Sequence, residues 1–302
     1  MKRMLIITLL GLGLGSATYA SVPKLELNRS PQTFAPQENN FIVPNDSEKT
    51  FDKEKILSDA GSRISAEFKV PADLRERVSF WFDIYTKYTA QEQVIHHSMY
   101  PWIVFRVVDL QPILNGDENK WVKYNKSVRY AKEQMREVRK ILSRLSKMKR
   151  FDKLESDEQE IYDQIQKVPT YKTDGSNRKK IIAEALRNLR AQVGQKDFIQ
   201  KGLASSAFYM SDLEKVFADN DLPLELTRLP FVESSFNVEA VSKVGASGVW
   251  QVMPYIGRRF LIMNNSVDER NSPVKSSIVA AYILKQNKQI LKNWPLALTG
   301  YN

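Results

Sequence analysis

From residue 117 onward the apolar positions recur at helical spacing, and before it they cluster differently. The clearest pattern is Trp121, Tyr124, Val128, Ala131, Met135, Val138, Leu142 and Leu145. These alternate by three and four, an a/d-type seam that predicts one long amphipathic helix reaching about residue 150. Ser156 with Gln159 predicts a capping box for a helix to Lys167, stopped ahead of Pro169. Asn177 predicts the start of another, running through Ile181, Ile182, Ala185, Leu186 and Leu189 to Gly194. Met210 to Asn220 is amphipathic, with Ser211 as a cap, and Pro223 suits the start of a further helix. Its apolar face, Leu224, Leu226, Leu229 and Val232, ends at Glu233. Upstream, Arg75 to Tyr88 is crowded with Val78, Phe80, Trp81, Phe82, Ile84 and Tyr85 and reads as a partly buried helix. Gln93 to His96 and PWIVFRVVDL at 101–110 are β-branched and aromatic, which predicts a short hairpin. The chain therefore reads as mainly α.

Residues 21–70 are rich in Pro, Asn, Gln, Ser and charge without a fixed apolar period, so they read as a flexible linker. Before them, Lys2 and Arg3 precede an apolar run from Leu5 to Leu14, and Thr18-Tyr19-Ala20 closes on small residues. That order is the signature of a cleaved export signal, 1–20. The apolar run is about ten residues, half of the ~20 that a spanning helix needs. Export to the periplasm or cell envelope is expected. With no cysteine in 302 residues, the exported chain has neither disulfides nor thiolate metal ligands. The organisation expected is then a helical N-terminal region at 71–205 and a second domain at 206–302.

Composition adds a core and a charge. Hydrophobic residues make up 42% of the chain, enough to exclude wholesale disorder, and the formal net charge of +10 admits polyanionic surroundings. Between Lys120 and Arg150 twelve Lys or Arg face only Glu133 and Glu137, so the long helix carries an excess equal to that of the whole chain. A solvated polar face and attraction toward an anionic envelope polymer both fit. An exported chain without a nucleic-acid motif does not call for nucleic acid. His96 and His97 are adjacent, point opposite ways on a strand and have no supporting ligands, so they read as structural residues.

The candidate chemistry lies in LPFVESSFN at 229–237, where an acid ends an apolar helix face. Charged residues rarely enter buried surface unless paired or used. An ion pair with Arg228 or Arg259 is one reading. The other is a proton donor: a helix C-terminus and burial against Phe231 and Phe236 both disfavour the carboxylate and raise its pKa. Downstream, GASGVWQVMP at 245–254 places two glycines around small residues, and TGYN stands at 299–302.

Taken together, ES at 233–234, GASGVWQ at 245–251 and GYN at 300–302 resemble the three ordered motifs of the family 1 lytic transglycosylases. LPLELTRLPFVESSFN and GRRF at 257–260 resemble the membrane-bound murein transglycosylase D branch, and the likeness covers about residues 206–302. It implies a lysozyme-like α-helical catalytic domain that cleaves the β-1,4 bond between N-acetylmuramic acid and N-acetylglucosamine of peptidoglycan, with no cofactor. It also implies that Glu233 is the general acid and then the base, leaving 1,6-anhydromuramic ends. Ser234 would orient the carboxyl, and Gln251, Tyr301 and Asn302 would line the sugar groove, with Ser247 and Met253 as weaker candidates. Val249-Trp250 replaces the frequent Leu-Met, and Gly300 the commoner Ala. Family members continue beyond the Tyr-Asn motif, so a fragment of a longer protein is expected, or else a shortened one of weak activity. A water-using muramidase and a non-catalytic peptidoglycan-binding module are the alternatives.

Overall fold

The computed structural model describes residues 52–302. The export signal read at 1–20 and residues 21–51 of the linker lie outside the described residues. Residues 52–70 differ from the flexible segment expected. They form α1 (Lys53–Leu57), capped by the Asp52 carboxylate, and a 3₁₀ turn at Ala66–Phe68. That turn is fastened far along the chain. The Ser65 amide donates to Glu225 (2.9 Å), Glu67 accepts from Lys288 (2.9 Å) and the Trp294 indole (3.2 Å), and the Phe68 ring lies 5.9 Å from Trp294. Each anchor is a lone side chain with no period, so the pattern along the sequence does not reveal it.

A second 3₁₀ turn at Ala72–Leu74 leads into α2 (Arg75–Thr86), which buries Phe80 and Ile84 as its crowded face predicts. β1 (Glu92–His97) and β2 (Val104–Asp109) form the expected antiparallel hairpin, with an irregularity between Ile95 and His96. After the single turn α3 (Gln111–Leu114) comes α4 (Lys120–Lys147), capped by Asn119. α5 (Ser156–Gln166) is capped one residue earlier than expected: Glu155 and Glu158 make the reciprocal capping bonds, and Ser156 is already helical.

The helix expected from Asn177 to Gly194 is two elements. α6 (Arg178–Arg187) stops at Asn188, and β3 (Leu189–Val193) pairs antiparallel with β1 to give the sheet order β2-β1-β3. Ile181, Ile182, Ala185 and Leu189 fit a helical stripe, but a central strand must satisfy backbone groups on both sides. Leu189 to Val193 supply the second side of β1. Asn177 stands at the N-cap of α6 as expected, but its side chain makes no capping bond and instead joins the Lys172 amide to the Thr170 carbonyl.

The first core packs Val138, Leu142 and Leu145 of α4 against the sheet, α5 and α6. Trp121 and Tyr124, placed on the same seam by their spacing, are 74% and 62% exposed because these partners cover only the later turns. His96 and His97 are buried, and loss of solvation pushes both down to about 4. Nδ1 of His97 accepts the amides of Met99 and Tyr100 (3.2 Å each), so protonation also removes an acceptor. A folded pKa depressed below the unfolded ~6.5 means that stability is complete above that pH and lost as pH falls toward 4, by about 3 kcal/mol per histidine. Urea midpoints at pH 7 and 4.5 should differ accordingly. A His97→Asn variant that loses as much on acidification as the parent would refute this.

α7 (Lys196–Ser206), α8 (Met210–Ala218) and a 3₁₀ turn at Leu224–Arg228 precede α9 (Leu229–Ser234), α10 (Pro254–Phe260), α11 (Pro273–Leu291) and α12 (Trp294–Tyr301). The cap of α8 is Tyr209, without a side-chain bond, where Ser211 was expected. A second core collects on α11, whose Val279, Ala280, Ala281 and Leu284 meet Leu213 and Phe217 of α8, Trp250, and Trp294 and Ala297 of α12. The two cores share no residue; Phe80 and Ile84 of α2 form a small third cluster with Val94, and α7 runs from α2 to the turn that ends α9. Its start is fixed by Gln195 and Lys196 amides on the Ile84 and Tyr88 carbonyls (2.8 and 3.0 Å) and by Asp197 on the Ala90 amide (2.7 Å). Further along, Gly202 lies so close to the Ser235 carbonyl that no Cβ fits there. No helix among the described residues is long and apolar enough to cross a membrane.

Candidate active site

Glu233 stands in the last turn of α9, half-buried. The helix cannot continue, because Ser235 and Phe236 both adopt left-handed backbone, φ 53° and 56°. Two such residues in sequence without glycine are costly and persist only where the surroundings impose them. Here the fully buried Phe236 ring packs 5.4 Å from Phe231, and the Ser235 and Phe236 amides return to the Phe231 and Pro230 carbonyls. The turn therefore fixes where the Glu233 side chain emerges. Val232, expected on the apolar face, is 59% exposed, because the first part of the segment is 3₁₀ and the face rotates.

The second motif folds into a tight loop. Ser247 and Val252 exchange both backbone bonds (3.1 and 3.0 Å), and Gly245, Gly248 and Gln251 take positive φ. A Cβ on Gly248 would collide with the Arg270 carbonyl, so glycine is required there both by φ and by space. Two consecutive carbonyls of the loop serve as attachment points. The Ser234 hydroxyl donates to Val249 (2.9 Å) and the Tyr301 phenol to Trp250 (2.9 Å). The loop thus ties the end of α9 to the end of α12, bringing the three stretches ES, GASGVWQ and GYN together.

The individual side chains depart from several expectations. Ser234, expected to orient the carboxyl, spends its hydroxyl proton on main-chain carbonyls and braces the helix. Ser247, a weaker candidate for the sugar groove, is 1% exposed, and its hydroxyl donates to Asn271 (2.7 Å), turned inward by the strand-like bridge. Trp250 is core: its indole donates to Ser277 (2.6 Å) and its ring stacks on Phe217 at 5.4 Å. Gln251 is half-buried, and its amide nitrogen donates to Ala240 and Gly248 carbonyls, leaving the amide oxygen as the group it presents. Met253 is half-buried at the start of α10, and Asn302 is exposed, its amide donating to Leu298.

The ion-pair reading of the acid named two arginines. Arg228 is engaged by Glu214 (2.7 Å), and Arg259 lies over the Phe260 ring at 5.3 Å. What approaches Glu233 electrostatically includes two phenols. Burial, and then the negative charge of Glu233, raise the pKa of Tyr301, so its hydroxyl stays protonated. The same two causes raise Tyr85, in the last turn of α2.

Sequence reasoning missed Tyr85, which it took only as one aromatic of a buried face, and it missed Arg270. The Arg270 guanidinium is almost wholly buried, pairs with Asp268 (2.6 Å), and donates to the Gly245 (2.7 Å) and Val252 (3.2 Å) carbonyls at the two ends of the loop. Its hydrogen bonds to the Asp268 carboxylate, with its charge behind them, hold that carboxyl below the usual carboxylate range. No spacing rule marks it. No group of three or more His, Asp or Glu among the described residues is arranged to hold a metal ion.

Comparison with known proteins bears on residues 214–302, which match the family model described as the transglycosylase SLT domain. Over 84 residues the chain is 36% identical to the membrane-bound lytic murein transglycosylase D of Escherichia coli strain K12, and equally to that of Escherichia coli O6:H1. The match covers 27% of this chain and 19% of those proteins, so the chain spans about a fifth of the length of these relatives. A protein named for tributyltin chloride resistance, from Alteromonas sp. strain M-1, is 30% identical over 97 residues, 32% of this chain and 45% of its own length.

Proposed function

We propose, on the premise that residues 214–302 form a transglycosylase SLT domain with the lysozyme-like fold, that the protein is a peptidoglycan lytic transglycosylase. Glu233 is the one acid of the three motifs, and its position carries the reading: the last turn of α9, with Tyr301 inside its field and the 245–253 loop braced against its helix. The substrate is the glycan strand, cut at the β-1,4 bond between N-acetylmuramic acid and N-acetylglucosamine. Glu233 gives its proton to the bridging oxygen as the C1–O bond breaks. The muramyl 6-hydroxyl then bonds to C1, and its proton returns to Glu233. No water is consumed, and the ring closes as a 1,6-anhydro sugar. A single carboxyl suffices because donation and abstraction occur in turn. A retaining or inverting hydrolase instead pairs two carboxyls at about 5 Å or about 6.5–9.5 Å.

Gln251, Met253, Tyr301 and Asn302 are the groups proposed to meet sugar. Ser234 contributes through the Val249 carbonyl, and Ser247 through the loop it stiffens. The leader-like residues 1–20 support export to the envelope, where α4, with ten Lys or Arg and two Glu, would be drawn to anionic polymer. Sacculus binding is then expected to weaken as salt rises.

Mass spectrometry of digested sacculi tests the reaction. Anhydromuramic ends are expected. Reducing muramic ends without anhydro ends would give the reaction to the muramidase reading instead.

A further inference from the structure

We propose that the first half of α4 docks on an anionic phospholipid surface, with Trp121 and Tyr124 entering the headgroup layer and the neighbouring Lys and Arg facing phosphate. The inference is independent of Glu233 and concerns where the chain sits, not what it cuts.

Two aromatic rings stand where the packing of α4 gives out. Val138, Leu142 and Leu145 are buried in the first core, and nearer the start of the helix only the small Ser127 and Ala131 are. Trp121 and Tyr124, three residues apart and so neighbours on one helical face, remain 74% and 62% exposed. The charge around them is of one sign. From Asn119 to Lys132 the chain has Lys120, Lys123, Lys126, Arg129 and Lys132, and no Asp or Glu. Lys132 follows Trp121 by three turns and so lies on its side of the helix, with Arg129 beside it, both exposed. Trp121, Val122, Asn125, Lys126 and Arg129 enclose a shallow recess of about 270 Å³, which sets the indole and two cations around one concavity. Lys126 also reaches back to Glu118 (2.6 Å), an exposed pair of the kind that contributes little. Nor does the charge serve the helix itself: its first turn holds Lys120 and Lys123 without an acid, where the macrodipole disfavours cations.

The occupant must accept positive charge and also offer the rings a boundary between water and hydrocarbon. Phospholipid headgroups supply both, a layer of phosphodiester anions and beneath it the interface where Trp and Tyr settle. A hydrated polyanion meets the cations and leaves the indole in water. Because Val138, Leu142 and Leu145 are committed to the core, α4 stays folded into the protein and dips only its exposed end. It differs in this from an amphipathic helix that lies along the interface with its whole apolar face.

Vesicle sedimentation tests this with the chain from Ser21 onward, so that the leader-like apolar run does not itself bind lipid; the described fold starts only at residue 52. The probes are vesicles of equimolar phosphatidylglycerol and phosphatidylethanolamine, and vesicles of phosphatidylcholine alone. Binding to the first is expected to be about 30-fold tighter or more, from two cations at about fivefold each. Trp121→Ala with Tyr124→Ala should weaken it about tenfold, the worth of about 60 Å² of ring surface leaving water. Both side chains are exposed, so the urea midpoint should not move. Arg129→Glu with Lys132→Glu should weaken binding about 30-fold or more by charge alone. Bromine on the acyl chains should quench tryptophan emission of the parent and much less that of Trp121→Phe, a difference that electrostatic approach without insertion does not produce. Equal binding to the two vesicles, or an aromatic double variant that binds like the parent, overturns the proposal. So does a double variant that loses sacculus binding and keeps vesicle binding, which would give the face to the glycan.

Discussion

Glu233→Gln is expected to abolish sacculus cleavage, with a loss of about 10³-fold or more, since a positioned acid contributes typically 10²–10⁴-fold and in the proposed reaction one group serves both proton transfers. Glutamine has the shape of the protonated acid and keeps its hydrogen-bonding ability, so the left-handed turn at Ser235 and Phe236 should survive. The urea midpoint is expected to change by less than about 1 kcal/mol equivalent, in line with substitutions away from the core. The assay is release of soluble muropeptides against time. Retention of a tenth of the parent's rate would mean that another group moves the proton. Ser234→Ala gives a graded companion. Its hydroxyl holds the Val249 carbonyl, so its loss should lower activity by loosening the loop, about fivefold at the ~1 kcal/mol of a neutral hydrogen bond.

How much of this was legible along the chain varies with the kind of signal. α2, α4 and the hairpin announced themselves through apolar patterns that repeat, and the three motifs gave the candidate site through their order. β3 did not, because Ile181 to Leu189 satisfies a helical stripe and nothing local says that β1 lacks a second neighbour. The cap of α5 was displaced by one residue, since Glu155 is as good an acceptor there as Ser156 and its reciprocal partner Glu158 decides between them. Residues 52–70 read as linker because Glu67 and Phe68 act singly, across the whole chain, on Lys288 and Trp294. Within the candidate site, the motifs gave the positions but not which way each side chain turns. Ser234, Ser247 and Trp250 hold the loop and core rather than face sugar, a distinction that depends on side-chain direction. Tyr85 and Arg270 were invisible for a further reason. Each meets backbone or charge that lies far off in sequence, and a lone Tyr or Arg carries no period.

Arg270 also explains where the second large effect should fall. Its carbonyl blocks the space beside Gly248, while its guanidinium holds Gly245 and Val252, so one buried residue bounds the loop from outside and draws its ends together from within. Gly248→Ala puts a methyl into that carbonyl at φ 76°, and neither partner is a side chain that can swing away. A cost above about 3 kcal/mol is expected, from the strained φ and the collision together, or roughly 6–12 °C in Tm for a chain of this size. Arg270→Met should cost a similar ~3–5 kcal/mol, because Asp268 is left charged without its partner and two loop carbonyls lose their donor. If both act by releasing the same loop, the double variant loses less than the sum of the two, as contacting residues do. Additive losses, or a Gly248→Ala protein melting within about 2 °C of the parent, would show that the loop tolerates a side chain there and that Arg270 is not what shapes it.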